Sequence, residues 1–194
     1  EQIFSQLQEA GIQVEVLVNN AGFTVFGPFA ETDGRNELEL LQVNIVTLTH
    51  LTKLFLPSML ARGSGRVLNV ASTAAFQPGP LMAVYYASKS YVLSFSEAIA
   101  TELEGTGVTV TALCPGLTAT GFQKRGEMEE SKLVAGRKIM DARTVARLGY
   151  RALNEGQVVA ITGKRNWVVA QAMRLLPRGL VRRSVMRAQE KVEH

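Results

Sequence analysis

The sequence has 194 residues, of which 46% are hydrophobic and 20% are charged, and its formal net charge is +4. This composition is typical of a one-domain globular protein and excludes a disordered chain. The single cysteine, Cys114, excludes an internal disulfide and a multi-cysteine metal site, and the two histidines, His50 and His194, argue against a histidine-based metal centre. No apolar run reaches the roughly 18 residues of a membrane span, and no signal-peptide pattern opens the sequence. We therefore expect a cytoplasmic protein without a metal.

The positive charge is concentrated at the C-terminal end of the chain. Residues 164–194 contain eight Lys or Arg and two Glu, whereas residues 1–163 contain thirteen basic and fifteen acidic residues. The two parts are therefore interpreted as a body, residues 1–163, and a basic extension, residues 164–194. Because the body is slightly acidic, we expect no nucleic-acid binding.

The hydrophobic pattern predicts strands that alternate with helices. Helical periodicity starts at Glu1 without a methionine or an N-cap residue, which predicts that an N-terminal portion of the protein is missing. After a first helix at residues 1–10, the pattern predicts strands at 14–18, 66–71, 108–113 and 158–162. The predicted helices lie at about 35–61, 84–104 and 142–154. Residues 117–138 are predicted to form a mobile segment over a site.

Three of the predicted strands are followed directly by polar or glycine-containing segments. These segments are residues 19–22, Ser72 with Thr73, and residues 115–120. Strands alternating with helices predict an α/β fold with a parallel sheet, in which ligands bind beyond the carboxyl ends of the strands. We therefore expect the three segments to meet at one edge of the sheet and to form a site there.

Tyr85 and Lys89 stand at the start of the predicted 84–104 helix. They are four residues apart and therefore lie on one helix face. An ammonium group beside a phenol lowers the phenol pKa from its reference value of about 10, which would make Tyr85 a proton donor and acceptor near neutral pH. Tyr86 has the uncharged Ser90 at the same spacing, so Tyr85 is the preferred candidate. Taken alone, the pair also fits an exposed, solvated helix face.

Each further candidate residue also has a purely structural interpretation. Ser72 could cap a turn, and Asn44 could be a hydrogen-bonded residue of the core. The Asn and Gly residues of the segment at 19–22 also suit an ordinary turn. Cys114 is interpreted as a small buried hydrophobe, because no His or Lys stands beside it in the sequence.

Together these residues resemble the ordered motifs of the short-chain dehydrogenase/reductase family, classical type. The motifs, which cover about residues 14–163, are Asn19-Asn20-Ala21-Gly22, Asn44, Ser72, Tyr85-x-x-x-Lys89 and Pro115-Gly116-x-x-x-Thr120. The resemblance implies a Rossmann-like doubly wound parallel sheet that lacks its first strands and its glycine-rich turn. The strand at 14–18 would then be an exposed hydrophobic edge, which is an aggregation hazard if the chain stands alone.

The resemblance implies an oxidoreductase that interconverts a carbonyl and an alcohol by hydride transfer with NAD(P)(H). Tyr85 would be the general acid and base, Ser72 would donate a hydrogen bond to the carbonyl oxygen, and Lys89 would lower the Tyr85 pKa. Asn44 would hold a water that relays protons toward Lys89. The implied cofactor contacts are Asn19, Ala21, Gly22, Tyr85, Lys89, Pro115, Gly116, Leu117, Thr118 and Thr120.

The resemblance also implies NADP or NAD as the cofactor, with a slight preference for NADP, although the residues that discriminate the two are absent from the sequence. Activity is expected of the complete protein and not of residues 1–194 alone. The expected substrate is an apolar carbonyl or alcohol, enclosed by residues 76–82, Phe122 and residues 123–138. A homo-oligomer packed through the 35–61 and 84–104 helices is also implied. The alternative is a non-catalytic nucleotide-binding or scaffold protein on the same fold.

The basic extension has an amphipathic pattern on either side of Pro177. Apolar residues such as Trp167, Leu176 and Val185 alternate there with arginines. One interpretation is a peripheral contact with an anionic membrane surface or a lipid-like substrate. The other, which we favour, is a helix packed on the body or on another subunit.

Overall fold

The sheet of the protein consists of four parallel strands, as seen in a computed structural model that describes residues 2–121 and 139–189. The strands are β1 (Val16–Asn19), β2 (Gly65–Val70), β3 (Val108–Cys114) and β6 (Val159–Ile161), in the spatial order β1-β2-β3-β6. All three pairings are parallel. The predicted α/β fold with a parallel sheet is therefore confirmed.

A second pair of strands lies at the two ends of the segment predicted to be mobile, residues 117–138. β4 (Thr118–Ala119) pairs in parallel with β5 (Met140–Asp141). The hydrophobic pattern did not predict β4 or β5, because two-residue strands carry no recognisable period, and the mobility of residues 117–138 stays a prediction. Residues 122–138 lie outside the described residues.

Seven α-helices lie in the described part of the chain. They are α1 (Gln2–Glu9), α2 (Gly34–Leu41), α3 (Leu48–Arg62), α4 (Ala83–Glu102), α5 (Ala142–Asn154), α6 (Lys164–Leu175) and α7 (Arg178–Gln189). A π-helical turn, Gln42–Thr47, joins α2 to α3, so that the helix predicted at 35–61 is continuous but widened in the middle. None of the described helices is long and apolar enough to span a membrane.

The ends of these helices follow from local chemistry. The Asp33 side chain accepts a hydrogen bond from the Arg35 amide at 2.8 Å and caps α2. The Asp141 carboxylate accepts one from the Thr144 amide at 2.8 Å and caps α5. Gly63 ends α3 with a φ of 63°, a left-handed conformation that glycine adopts without strain.

The sheet is covered on both faces. On one face, Val67 and Val110 pack with Phe55 and Met59 of α3. On the other face, Leu68 and Leu113 pack with Val145 and Leu153 of α5. The alternation of side chains along each strand produces these two core layers, with α3 and α4 on the first face and α5 on the second.

The edge of the sheet at β1 is open. Within the described residues β1 pairs with β2 alone, and Val16 and Val18 are 39% and 51% exposed. The predicted exposed hydrophobic edge is therefore confirmed.

Candidate active site

The candidate site lies at the carboxyl end of β2, where Ser72 meets Tyr85. The Ser72 hydroxyl accepts a hydrogen bond from the Ala74 amide at 3.1 Å and caps a short 3-10 helix, Thr73–Phe76. The same side chain forms a hydrogen bond with Tyr85. A hydroxyl can donate one hydrogen bond and accept others, so Ser72 caps the turn and contacts Tyr85 at the same time.

Tyr85 lies in the first turn of α4 and is buried. Burial raises the pKa of Tyr85 to about 12, and the hydrogen bond with Ser72 lowers this pKa only in part. The expected lowering of the Tyr85 pKa is therefore wrong for this structure, because desolvation of the phenolate outweighs the hydrogen bond with Ser72. The phenol is thus protonated at neutral pH and can act as a proton donor.

Lys89 lies on the same face of α4 as Tyr85, as the spacing predicts. Its Nζ atom is 5.8 Å from the centroid of the Tyr85 ring and donates a hydrogen bond to the Val70 carbonyl at 2.8 Å. Burial lowers the pKa of Lys89 to about 8. The ammonium is therefore held between the end of β2 and the tyrosine in a desolvated position, where a small pH change alters its charge.

Gly22 brings the backbone after β1 against Lys89 and Asn44. A Cβ atom added to Gly22 would lie 2.9 Å from the Asn44 Oδ1 atom and 3.4 Å from the Lys89 Nζ atom. Glycine is required here by this close approach of the chain. Gly22 and its neighbour Ala21 are exposed at the edge of the sheet, so their backbone is accessible to a ligand.

The Asn44 side chain is buried in the π-helical turn and bonded to protein groups. Its Nδ2 atom donates to the Phe23 carbonyl and to the Ser88 hydroxyl, both at 3.1 Å, and its Oδ1 atom accepts from the Phe23 amide at 3.2 Å. These three bonds support the interpretation of Asn44 as a core residue that positions the segment at 22–23. The water-holding role of Asn44 stays a prediction.

The Asn19 side chain points into the core. Its Nδ2 atom donates to the Thr52 hydroxyl at 3.1 Å and to the Asn69 Oδ1 atom at 2.8 Å, and Asn69 in turn donates to the Ser96 hydroxyl at 2.9 Å. This network joins β1 and β2 to α3 and α4. A cofactor contact at Asn19 would therefore have to come from its backbone.

The segment after β3 lies beside the Ser72 turn. The Thr73 amide donates to the Pro115 carbonyl at 2.9 Å, and the Thr118 hydroxyl donates to the Gly116 carbonyl at 3.0 Å. Gly116 packs against Asn166 of α6 so closely that a side chain would clash there. The predicted meeting of the polar segments at one edge of the sheet is thus observed, and Thr120 is exposed at its margin.

Tyr86 and Gln189 form a contact that the sequence analysis missed. The Gln189 Nε2 atom donates to the Tyr86 hydroxyl at 2.7 Å, and both residues are buried. Gly79 packs flat against the Tyr86 ring, and the rings of Tyr85 and Tyr86 meet edge to face at 5.9 Å. No local pattern predicts a contact between residues 103 positions apart.

The C-terminal helix α7 packs on the body beside Tyr85. Its Val181 and Val185 belong to a buried cluster that also contains Phe23, Met82 and Tyr85. The spacing of Val181, Val185 and Gln189 by four residues is a signal that could have identified this buried face. The favoured interpretation of the tail as a packed helix is therefore confirmed for α7.

The predicted substrate wall lies only partly within the described residues. Met82 is buried, and the Phe76 ring lies under the guanidinium of Arg174 at 5.1 Å. Phe122 and residues 123–138, the remaining predicted substrate wall, lie outside the described residues. Burial raises the pKa of the Cys114 thiol to about 12, which supports its interpretation as a small buried hydrophobe.

Comparison with known proteins identifies the family. The model of the family described as short chain dehydrogenase matches residues 1–131. The chain belongs to this family. The family indicated by the motifs, and the Rossmann-type fold that goes with it, are confirmed.

Similar members of the short-chain dehydrogenase family are named reductases. The ketoacyl reductase HetN of Nostoc sp. is 36% identical over 132 residues, which are 68% of this chain and 46% of the relative. The very-long-chain 3-oxoacyl-CoA reductase of Phaeosphaeria nodorum is 33% identical over 159 residues, which are 81% of this chain and 46% of the relative. The chain thus spans about half the length of these relatives.

A solved structure supports the same fold. The short-chain dehydrogenase from Sphingobium yanoikuyae in complex with NADPH has a TM-score of 0.75 and 25% sequence identity. The similarity covers 99% of this chain and 73% of that structure.

Proposed function

We propose that the complete protein is an NAD(P)-dependent oxidoreductase that interconverts a carbonyl and an alcohol. The observation that carries this proposal is the hydrogen bond between Ser72 and the buried Tyr85, with the Lys89 ammonium 5.8 Å from the tyrosine ring. Such a phenol–hydroxyl–ammonium set gives two hydrogen-bond donors and one positive charge at one point of the sheet edge.

The side chains have distinct roles in the reduction of a carbonyl. Tyr85 donates the proton of its hydroxyl to the carbonyl oxygen as negative charge develops there. Ser72 donates a second hydrogen bond to the same oxygen, and Lys89 stabilises the tyrosinate that remains. When bound, the nicotinamide supplies the hydride to the carbonyl carbon. Oxidation of the alcohol reverses these proton transfers.

We propose that two of the described segments border the cofactor. A side chain at position 22 would occupy the space next to Lys89 and Asn44, and glycine leaves this space open. We propose that this backbone and that of Ala21, together with residues 115–120, border the cofactor, and that Lys89 binds its ribose. We propose NADP or NAD as the cofactor, because solved structures similar to this chain hold NADPH or NAD.

We propose a carbonyl on an acyl chain as the substrate class. The Nostoc and Phaeosphaeria relatives are named reductases of ketoacyl and 3-oxoacyl-CoA compounds. Tyr85 itself lies in an apolar surrounding, since it packs with Phe23, Met82 and Val185.

We also propose a cytoplasmic homo-oligomer that associates through the helices at residues 35–61 and 84–104. Exposed apolar side chains lie on this side of the molecule, at Val46, Leu60 and Tyr91. The Tyr91 hydroxyl is 2.9 Å from the Thr49 hydroxyl, and its ring stacks on Phe95, which gives the surface a fixed shape. Sedimentation velocity of the complete protein tests this arrangement, and a monomeric mass would contradict it.

The test of the proposed reaction compares Ser72→Ala with the exposed control Ser94→Ala in the complete protein. Consumption of NADPH and NADH is measured with a panel of 3-oxoacyl esters and smaller ketones. We expect turnover for the wild type and for Ser94→Ala, and a loss of roughly 10²-fold in kcat for Ser72→Ala, since a donor to the developing oxyanion is removed. Cofactor binding without turnover of any carbonyl would favour the alternative, a non-catalytic nucleotide-binding or scaffold protein.

A further inference from the structure

The corner between α6 and α7 exposes a group of leucines. Leu175 ends α6, and Leu176 and Leu180 stand on either side of Pro177 at the start of α7. The exposed fractions of these three side chains are 87%, 45% and 55%. Apolar side chains that are exposed to water as a contiguous group are typical of a surface that contacts a partner.

The surroundings of this leucine corner are strongly basic. Residues 164–189 contain seven Lys or Arg and neither Asp nor Glu. The α7 arginines are exposed, at Arg178, Arg182, Arg183 and Arg187. A partner of this surface must therefore be anionic as well as apolar.

The leucine corner stays exposed beside the described residues of the body. The inner face of α7 is already occupied, because Val181, Val185 and Gln189 are buried against it. The Arg174 guanidinium likewise holds α6 against Phe76. The two helices are thus anchored by their inner residues, and the leucines between them point away from the core.

We propose that the leucine corner docks on an anionic lipid bilayer. Leu175, Leu176 and Leu180 enter the boundary of the acyl region, and the arginines of α7 contact the anionic headgroups. The leucines match the acyl region of the bilayer, and the arginines around them match its anionic headgroups. Burial of apolar surface and electrostatic attraction both strengthen such binding. Packing of α7 on the body and docking of the corner on a bilayer are therefore compatible.

Other partners match the surface less well. In a two-fold contact with a second copy of the chain, the arginines of the two copies would face each other and repel. A nucleic acid would pair with the arginines, but it would leave the leucines in water.

The proposal is tested by sedimentation of the complete protein with two kinds of vesicle. One contains phosphatidylcholine only, and the other contains about one third phosphatidylglycerol, which supplies the anionic surface. The variants are Leu175→Ser with Leu176→Ser, and Arg178→Gln with Arg182→Gln. Leu38→Ser and Arg143→Gln are the matched controls, because both positions are exposed and lie on other helices. Circular dichroism verifies that each variant is folded.

We expect binding to the anionic vesicles that weakens with salt and that falls by about tenfold or more in each double variant. The two controls should bind like the wild type. Equal binding of the leucine variant would overturn the proposal, and so would equal binding to both kinds of vesicle. A leucine variant that changes the oligomeric mass but not vesicle binding would assign the corner to a second copy. A protein that binds duplex DNA but does not bind the vesicles would assign the corner to nucleic acid. Each of these results also contradicts bilayer docking.

Discussion

At the scale of single residues, burial decides the protonation of the candidate site. Lys89 and Tyr85 were expected to be coupled mainly through charge, and the four-residue spacing predicts their common face correctly. The spacing carries no information on desolvation, which depends on how tightly α4 is covered by β2 and α7. Desolvation raises the pKa of Tyr85 and lowers that of Lys89. In both groups burial thus disfavours the charged form relative to the same group in water.

The lowered pKa of Lys89 predicts a specific pH dependence of stability. Between about pH 8 and 10.5 the unfolded chain keeps the Lys89 proton that the folded chain has released, so stability rises with pH in this window. Relative to Lys89→Met, the free energy of unfolding of the wild type should rise by about 3 kcal/mol across it. Titration of Tyr85 is common to both proteins and largely cancels in the difference.

Urea denaturation at several pH values measures this effect. Lys53→Met, at an exposed position, is the control and should follow the wild type. Parallel stability curves for the wild type and Lys89→Met would show that the Lys89 pKa is not lowered.

The close approach at Gly22 makes a second prediction at this scale. Gly22→Ala places a methyl group against the Asn44 amide and the Lys89 ammonium, and we expect a loss of about 1–3 kcal/mol of folding stability from overpacking. Gly34→Ala is the matched control, because a Cβ there meets no atom within 4 Å. Thermal denaturation measures both variants, and equal melting temperatures would mean that the segment at 19–22 moves away without cost.

At the scale of elements, hydrophobic periodicity located the helices and strands within one to two residues in most cases. It missed the π-helical turn Gln42–Thr47, because a single widened turn barely changes the apolar pattern. It also missed β4 and β5. These strands have two residues each and lie far apart in the sequence, so a local hydrophobic pattern cannot predict their pairing. The site residues that follow the strand ends could be predicted from the sequence. The packing of α7 beside Tyr85 and Tyr86 could not.

The contact between α7 and α4 should be measurable as a coupling energy. Tyr86→Phe leaves the buried Gln189 amide without its acceptor, and we expect a loss of about 1–3 kcal/mol of folding stability. Gln189→Leu should cost a similar amount, and the double variant should cost less than the sum of the two. A double-mutant cycle on the free energy of unfolding gives the coupling, and strict additivity would contradict the hydrogen bond between these residues.

At the scale of the whole molecule, the open sheet edge at β1 determines how the chain behaves in solution. Val16 and Val18 are exposed, and unpaired strand edges promote association. We expect the 194-residue chain to self-associate, and Val18→Lys to reduce this association because a charge on an edge strand opposes pairing. Light scattering measures the effect, with the exposed Tyr150→Lys as control. Equal scattering of Val18→Lys and wild type would show that β1 is not the associating edge.

Tyr85, and not its neighbour Tyr86, is proposed to transfer the proton in a carbonyl reduction. The most direct measurement compares kcat of Tyr85→Phe and Tyr86→Phe in the complete protein with reduced cofactor and a 3-oxoacyl substrate. Loss of the proton donor should lower kcat of Tyr85→Phe by roughly 10²–10⁴-fold. Tyr86→Phe should be less stable but should keep kcat within about tenfold of the wild type, since its hydroxyl bonds to Gln189 of α7 and to Gln77. A Tyr85→Phe variant as active as the wild type would show that Tyr85 does not transfer the proton.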